Sequence, residues 1–406
     1  MGNTAIYLYT CLLGILFMAS CAPSERASLK TGRSNIPTDT THLDFTVEPA
    51  PEWTALFDRQ QGWFGADGIF SIPCNGVDTA GASDSTLFLF SDTMIGDIAD
   101  GKLKPGSRMV HNSVAYMKGN EPDKDHIRFY WATDKNGGPA TLFVPHTPAS
   151  SPQDYFWLGD GFVDQQKNNT LYIFAYRIRN VSQKDFGFRQ VGSVLIALPA
   201  GSRPPFREQR QVDAPLFIPG KDGQGSGYFG SGIFVNTRQA GASHPDGFVY
   251  VYGIRGHKKE VMVARVKPAY FEDFSRWRYW DGKEWSKDIQ QAAAITDRAS
   301  DELSLTPLPD GRYALVFQIN GMSPAVGLRL GLSPVGPFGP VIKVWDCPEP
   351  REDKHFFTYN AKAHPGLSKP GELLISYNVN SFDFLHQLHA HPHLYRPRFI
   401  KVKLLP

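Results

Sequence analysis

The stretch "GWFGADGIFSIP", residues 62–73, places an acid, Asp67, among glycines inside an otherwise apolar, strand-like run. Further on, "FWLGDGFV", residues 156–163, puts Asp160 in nearly the same setting. Burying an ionised carboxylate in an apolar strand is costly unless it is paired or reaches water. Two such strands therefore ask for a fold in which an inner strand borders a water-filled space.

The remainder of the chain supplies that fold. Strongly apolar runs recur as "STLFLFSD", "NNTLYIFAYRI", "DGFVYVYGIR", "DGRYALVFQI" and "PGELLISYNV", each bounded by Gly, Pro, Asn or Asp. Ahead of them stand "GADGIFSIP", "LGDGFVDQQ", "FGSGIFVNT", "SDELSLTPL" and "AKAHPGLSK". A third strand follows in several units, as in "RMVHNSVAYM", "GSVLIALPA" and "EVMVARVKP". The unit is a short strand bearing Gly or acid, a polar turn, then a strongly apolar strand. Its spacing is too long and uneven for a solenoid and suits propeller blades with variable loops. The expectation is an all-β, five-bladed β-propeller over residues 44–406, with the first strand of each unit innermost. Glycines inside those strands then let neighbouring backbones crowd the axis. Only "WSKDIQQAAAITD", residues 285–297, reads as a turn or two of helix.

The formal charge of +2 and the lack of a long basic block exclude an electrostatic case for nucleic acid. Aromatic residues make up 13% and are scattered, which suits a β-rich fold and equally the stacking of sugars on ring faces. No G-x-S-x-G, P-loop, Rossmann or H-E-x-x-H pattern is present, so serine hydrolases, phosphoryl transfer and zincin proteases have no support.

In this register the axis receives Asp67, Asp160, Ser231, one of Asp301 or Glu302, and Lys362 or His364. Side chains alternate along a strand, so adjacent Asp301 and Glu302 are not both expected to face inward. Convergent acids are what glycoside hydrolysis uses, with one carboxylate as base or nucleophile and a second protonating the leaving oxygen. Asp in "DG" pairs also serves turns; the matching contexts of Asp67 and Asp160 favour function. Asp92, in "LFLFSDTMIG", is a candidate to orient Arg108 or to bind substrate. Arg108, His111 and Asn112 on the next strand, and Tyr359, Asn360, Lys362 and His364 in the last unit, complete the candidate substrate-binding set. His386, His389, His391 and His393 match no zinc spacing and are expected in a polar loop.

The stretches "GWFGADGIFSIP…TLFLFSDTMIG…SRMVHNSVA" and "YNAKAHPGLSKPGELLISYNVNS" resemble bacterial proteins grouped as domain of unknown function 4185 and its relatives. The likeness lies in the glycine-flanked Asp67, the "FSDT" around Asp92, and the Arg-x-x-x-Asn of Arg108 and Asn112. It covers most of residues 50–400 in layout, with recognisable motifs in the first and last units. The resemblance implies a five-bladed propeller from glycan-degrading bacteria, where some members are endo-acting D-arabinofuranosidases. By position, the wider set of five-bladed glycosidases such as glycoside hydrolase family 43 implies Asp67 as base, Asp160 as the tuner of its pKa and Glu302 as acid. No cofactor is required; an axial histidine in such propellers can hold a central cation, calcium or another, or a water, which makes His364 the candidate.

Residues 5–18, "AIYLYTCLLGILFM", are too short to span a bilayer comfortably and lead into "ASCAPSE". That junction resembles a bacterial lipoprotein cleavage site, with residues 1–21 a signal peptide, Cys21 the lipidated residue and 22–43 a flexible tether. The n-region lacks Lys and Arg, and Ile6 breaks the N-myristoylation pattern. The expected place is the bacterial cell envelope, with a carbohydrate substrate, membrane contact through the lipid alone, and a monomeric state. Cys74 and Cys347 then remain, as a disulfide or as two buried thiols. Two other functions fit the same residues. One is a non-catalytic glycan binder, with the acids apart and the funnel lined by Trp and Tyr. The other is a polysaccharide lyase, with Tyr359, His364 or His111 abstracting a proton while Lys362 and Arg108 neutralise a uronate.

Overall fold

The computed structural model describes residues 38–182, 187–220 and 225–405. The expected signal peptide, Cys21 and the part of the expected tether up to residue 37 lie outside the described residues.

Five antiparallel sheets of four or more strands make up a five-bladed β-propeller. The first blade runs outward from Phe70–Pro73 through Ser85–Phe90 and Ser113–Lys118 to Ile127–Tyr130. In the second, Asp154–Asp164, Thr170–Asn180, Phe188–Leu198 and Arg210–Ala214 follow in order. Gly227–Asn236, Phe248–Arg255 and Glu260–Val266 carry the third, and Leu303–Pro307, Tyr313–Gln318, Ala325–Gly331 and Ile342–Asp346 the fourth. The fifth blade joins both ends of the domain. Phe356–Ala363, Glu372–Ser381 and Arg398–Leu404 receive Phe45–Pro49 as their outermost strand, in register from Phe45 opposite Leu404 to Pro49 opposite Ile400. A ring closed by strands from both termini leaves few free sheet edges.

The leading strand of each sequence unit is the innermost strand of its blade. Neighbouring inner strands are stitched by polar atoms. Ser91 Oγ accepts from the Leu158 amide at 3.0 Å, Asp160 accepts from the Ile233 amide at 2.7 Å, and Ser304 Oγ accepts from the Ala363 amide at 2.8 Å. A hydrogen bond of 2.7 Å between Ser71 Oγ and His364 Nδ1 joins the last blade to the first. The glycines are a consequence of this crowding, since a Cβ on Gly232 would stand 2.6 Å from the Leu303 carbonyl oxygen of the next blade. Apolar faces of adjacent sheets pack between these strands, as where Phe162, Phe174 and Phe229 meet Trp277.

Three inner strands share a device that a regular strand lacks. Their register shifts between Leu158 and Gly161, between Phe229 and Gly232, and between Tyr359 and Lys362. Each is a β-bulge, which re-aims side chains at a defined point. In the last, Asn360 has φ 57°, so Tyr359 and Asn360 need not alternate faces.

Several local expectations change. Residues 285–297 form a short strand at Trp285–Ser286 and a 3-10 turn at Ile289–Gln291. His386 and His389 lie on a helix, Phe384–Ala390, and not in a loop. Residues just before the N-terminal strand are already fixed, since buried Arg312 donates to the Asp39 and His42 carbonyls at 2.7 and 2.8 Å. Cys74 and Cys347 are free thiols on separate blades.

Candidate active site

Two cavities lie along the axis. One end opens into a cleft of about 1800 Å³; beneath it is a small cavity of about 40 Å³.

Asp67 sits in the break between Trp63–Ala66, part of a small separate sheet, and the inner strand Phe70–Pro73. Gly68 makes that break, at φ 66° and with no room for a Cβ beside Ser91 Oγ. The Asp67 amide and carbonyl pair with the backbone of Asp92 and Ser91, which brings both carboxyls to the same wall of the cleft. Tyr359 donates its hydroxyl to Asp67 Oδ2 at 2.7 Å, while Oδ1 has no well-formed hydrogen bond among the described residues. Burial raises the Asp67 pKa to about 7, and the charge of Asp92, then that of Glu302, adds to the rise against the bond from Tyr359.

Glu302 precedes the inner strand of the fourth blade. It makes a close charge contact of 2.5 Å with Lys362 Nζ and accepts from Asn360 Nδ2 at 2.8 Å. Burial raises its pKa too, opposed first by the Lys362 charge. Asp301 and Glu302 both line the cleft, because they stand before Leu303, where strand alternation has not begun. Asp301 is held by Lys259 Nζ at 2.6 and 2.7 Å and by the Tyr228 hydroxyl at 2.6 Å.

The bulge of the fifth blade therefore connects two acids. Consecutive residues Tyr359 and Asn360 reach Asp67 on one side and Glu302 on the other. Tyr395, buried beside Asp67, belongs to the segment after the C-terminal helix and was not among the sequence candidates.

Asp160 lies apart from them. It lines the small cavity with Asp78, Lys362 and His364, and its oxygens accept from the Gly161 and Ile233 amides at 2.8 and 2.7 Å. Its place in the bulge thus ties blade to blade. Burial raises its pKa to about 8, and that of Asp78 to about 6. For His364, burial and then the Lys362 charge lower the pKa to about 3, so the ring is neutral. Both its nitrogens are engaged, by Ser71 and Ser376 hydroxyls at 2.7 Å each. The arrangement does not fit a cation on His364, and among the described residues no group of three or more His, Cys, Asp or Glu is placed to hold a metal ion.

The remaining candidates divide. Asp92 is hydrogen-bonded to His111 Nδ1 at 2.9 Å, not to Arg108, and the His111 ring stacks on Tyr155 in the cleft wall. Arg108 points elsewhere, donating to Asp134 at 2.8 Å. Asn112 is fully buried and braces the Phe143 and Phe156 backbones at 2.7 to 3.1 Å.

The raised pKa values make a stability prediction with a definite sign. A carboxyl whose folded pKa lies above its unfolded value of about 3.9 binds protons more tightly when folded, so stability falls as pH rises from the unfolded value to the folded one. For Asp67 at about 7 and Asp160 at about 8, that fall begins at about pH 4 and levels off above about pH 7 and pH 8 respectively. Thermal melts should show Tm decreasing over this window, with a shallower decrease in Asp160→Asn.

A propeller with carboxyls gathered at one mouth of its axis is the class that fold and site define. The chain belongs to the family described as Domain of unknown function (DUF5005), whose sequence pattern matches residues 51–404. The resemblance to domain of unknown function 4185 is not shown by this match, which is to a different family. Among curated proteins nothing matches in sequence. Of solved structures, a "putative hydrolase" from Bacteroides ovatus is similar at TM-score 0.68 and 19% identity, covering 91% of this chain and 97% of that one. An endo-arabinase from Bacteroides thetaiotaomicron matches at TM-score 0.41 and 11% identity over 83% and 97% of the two chains. A GH43_1 enzyme from Xanthomonas citri, complexed with xylotriose, gives 0.40 and 14% over 88% and 94%. The first of these likenesses bears on the fold.

Proposed function

We propose that the chain is a glycoside hydrolase acting in the large axial cleft, exported and lipid-anchored at Cys21 as its N-terminal sequence suggests. The observation that carries the catalytic reading is the pairing of Asp67 and Glu302. Two carboxyls, half-buried Asp67 and buried Glu302, reach one cleft from the first and fourth blades, each held by one of two consecutive residues of the fifth.

Their surroundings differ, as acid and base roles require: Asp92 adds to the rise at Asp67, whereas Lys362 opposes it at Glu302. Asp67, crowded by Asp92 and withdrawn from water, retains a proton to about pH 7 and has an Oδ1 without a well-formed hydrogen bond, which suits the acid that protonates the leaving oxygen. Glu302, against Lys362, is the carboxylate that serves as base or stabilises positive charge at the sugar ring. Asp92 takes the tuning role that the family resemblance gave to Asp160, and acid and base exchange places relative to it. The cleft exceeds the roughly 300–1,000 Å³ of ordinary small-molecule pockets, and its walls include Tyr155, Trp157, Phe357 and Phe382 for stacking on sugar rings.

The lyase reading is less well supported, because its cations are already engaged: Lys362 by Glu302, and Arg108 by Asp134. The binding-only alternative is separated by turnover. Assayed against a polysaccharide panel, the lipid-free domain should release new reducing ends with a bell-shaped pH–rate profile whose alkaline limb falls near pH 7. Saturable binding without release from any bound polysaccharide would refute the catalytic reading. Tyr359→Phe removes the bond that favours ionised Asp67, so it should move the alkaline limb to higher pH.

A further inference from the structure

Besides Glu302 Oε2, which lies against Lys362, three buried polar atoms of the cleft lack a well-formed hydrogen bond among the described residues: Asp67 Oδ1, the Tyr176 hydroxyl, which has Ser231 as a polar neighbour, and Trp157 Nε1. Leaving one such atom unsatisfied costs about 1–3 kcal/mol. A set of them in one cleft marks a place that a ligand or water completes.

Trp157 and Tyr176 are direct cross-strand partners, on the inner and second strands of the second blade, so their side chains share a face. Both rings are held in place. Phe188 packs edge-on against Trp157 at 4.7 Å, and Tyr228 against Tyr176 at 4.9 Å. Gly159, in the adjoining bulge, leaves space for the phenol, since a Cβ there would lie 2.7 Å from the Tyr176 oxygen. Neither residue stood out in sequence as a site residue.

The charges around this place are arranged against an anion. Asp67, Asp92, Asp301 and Glu302 line the same cleft, while Lys259 is engaged by both oxygens of Asp301 and Lys362 by Glu302. Arg189 lines the exposed rim. The recognition groups on the floor that lack a well-formed hydrogen bond are thus an indole N–H donor, a phenol that donates or accepts, and a carboxyl oxygen.

We propose that Trp157 and Tyr176 form a hydroxyl-binding subsite that seats an uncharged sugar ring beside Asp67. This rests on the glycan-cleft reading and adds the residues that select the ring and the exclusion of acidic sugars. Isothermal titration of neutral xylo- and arabino-oligosaccharides, and of oligogalacturonides, into wild type, Tyr176→Phe and Trp157→Phe tests it. Wild type should bind a neutral probe and not the acidic one. Each variant should lose about 10-fold in affinity, the scale of one hydrogen bond to a sugar hydroxyl. Tm of Tyr176→Phe should equal or exceed wild type, because a poorly satisfied hydroxyl has been removed; a merely structural tyrosine would lower it. Binding confined to oligogalacturonides, no binding of any neutral probe, or undiminished binding by Tyr176→Phe overturns the subsite. Neutral binding that both variants weaken, with no sugar released, would retain the subsite and refute hydrolysis instead.

Discussion

Asp67→Asn should lower release of reducing sugar by about 100- to 10,000-fold, the range that a positioned proton donor contributes, while leaving the propeller folded. The amide is nearly isosteric, and its carbonyl can still accept the Tyr359 hydroxyl that now reaches Oδ2 at 2.7 Å. Stability should move the other way. The native state opposes ionisation of Asp67 through burial and through the charge of Asp92. Removing the carboxyl relieves that cost, and at pH 8 the variant should be more stable by ~1–3 kcal/mol. A carboxylate kept for structure would show the reverse, with stability lost and activity following only through unfolding. The assignment as acid has its own readout. Aryl glycosides, whose phenol leaving groups need little protonation, should recover a large part of the activity that unactivated glycans lose. Equal loss on both substrates would assign Asp67 to the base role instead. Chemical denaturation at pH 8, beside rates on the two substrate types, separates these outcomes.

The blade pattern was legible because burial imposes it. The second strand of each blade is enclosed on both faces, so it reads as an unbroken apolar run, and the inner strand needs glycine where backbones meet. The outermost strand of the fifth blade was not marked, since Phe45–Pro49 is half exposed and pairs with a partner at the far end of the chain. Asp67 and Asp160 looked alike because both adjoin glycine, yet the glycines answer different needs. Gly68 turns the chain from the small sheet into the inner strand, whereas Gly159 and Gly161 flank a bulge whose Asp accepts two backbone amides. Alternation also misled at Asp301 and Glu302, because it applies only once a strand has begun. The cleft residues that went unmarked, Tyr395, Tyr176 and Trp157, are aromatics of ordinary appearance. Only the tertiary structure shows which of their polar atoms are left without a well-formed hydrogen bond.

Lys362→Met should be the most destabilising single change in the site. Lys362 is 2% exposed, and three independent contacts fix it. Its Nζ lies 2.5 Å from Glu302 and 4.6 Å from the centre of the Phe70 ring, and its chain lines the small cavity beside Asp160 and His364. It is thus the one cation among these groups that bears on both levels of the axis, opposing the burial that raises the Glu302 pKa above and adding to the burial that keeps His364 neutral below. Breaking a buried pair by removing one partner costs about 3–5 kcal/mol, because the other charge is stranded. Glu302 can escape only by taking up a proton, which would raise its pKa further and move the acid limb of the rate profile upward. Activity at neutral pH should fall more than stability alone accounts for, and should recover in part at higher pH. The double variant Lys362→Met/Glu302→Gln separates the pair from its surroundings. Since replacing both members of a buried pair is often near neutral, the double variant should unfold at higher denaturant than Lys362→Met alone, with a coupling energy of about 1–3 kcal/mol. Additive losses would show that Lys362 acts through packing against Phe70 and the small cavity, and Glu302 would then lose the counter-charge that its role as carboxylate requires.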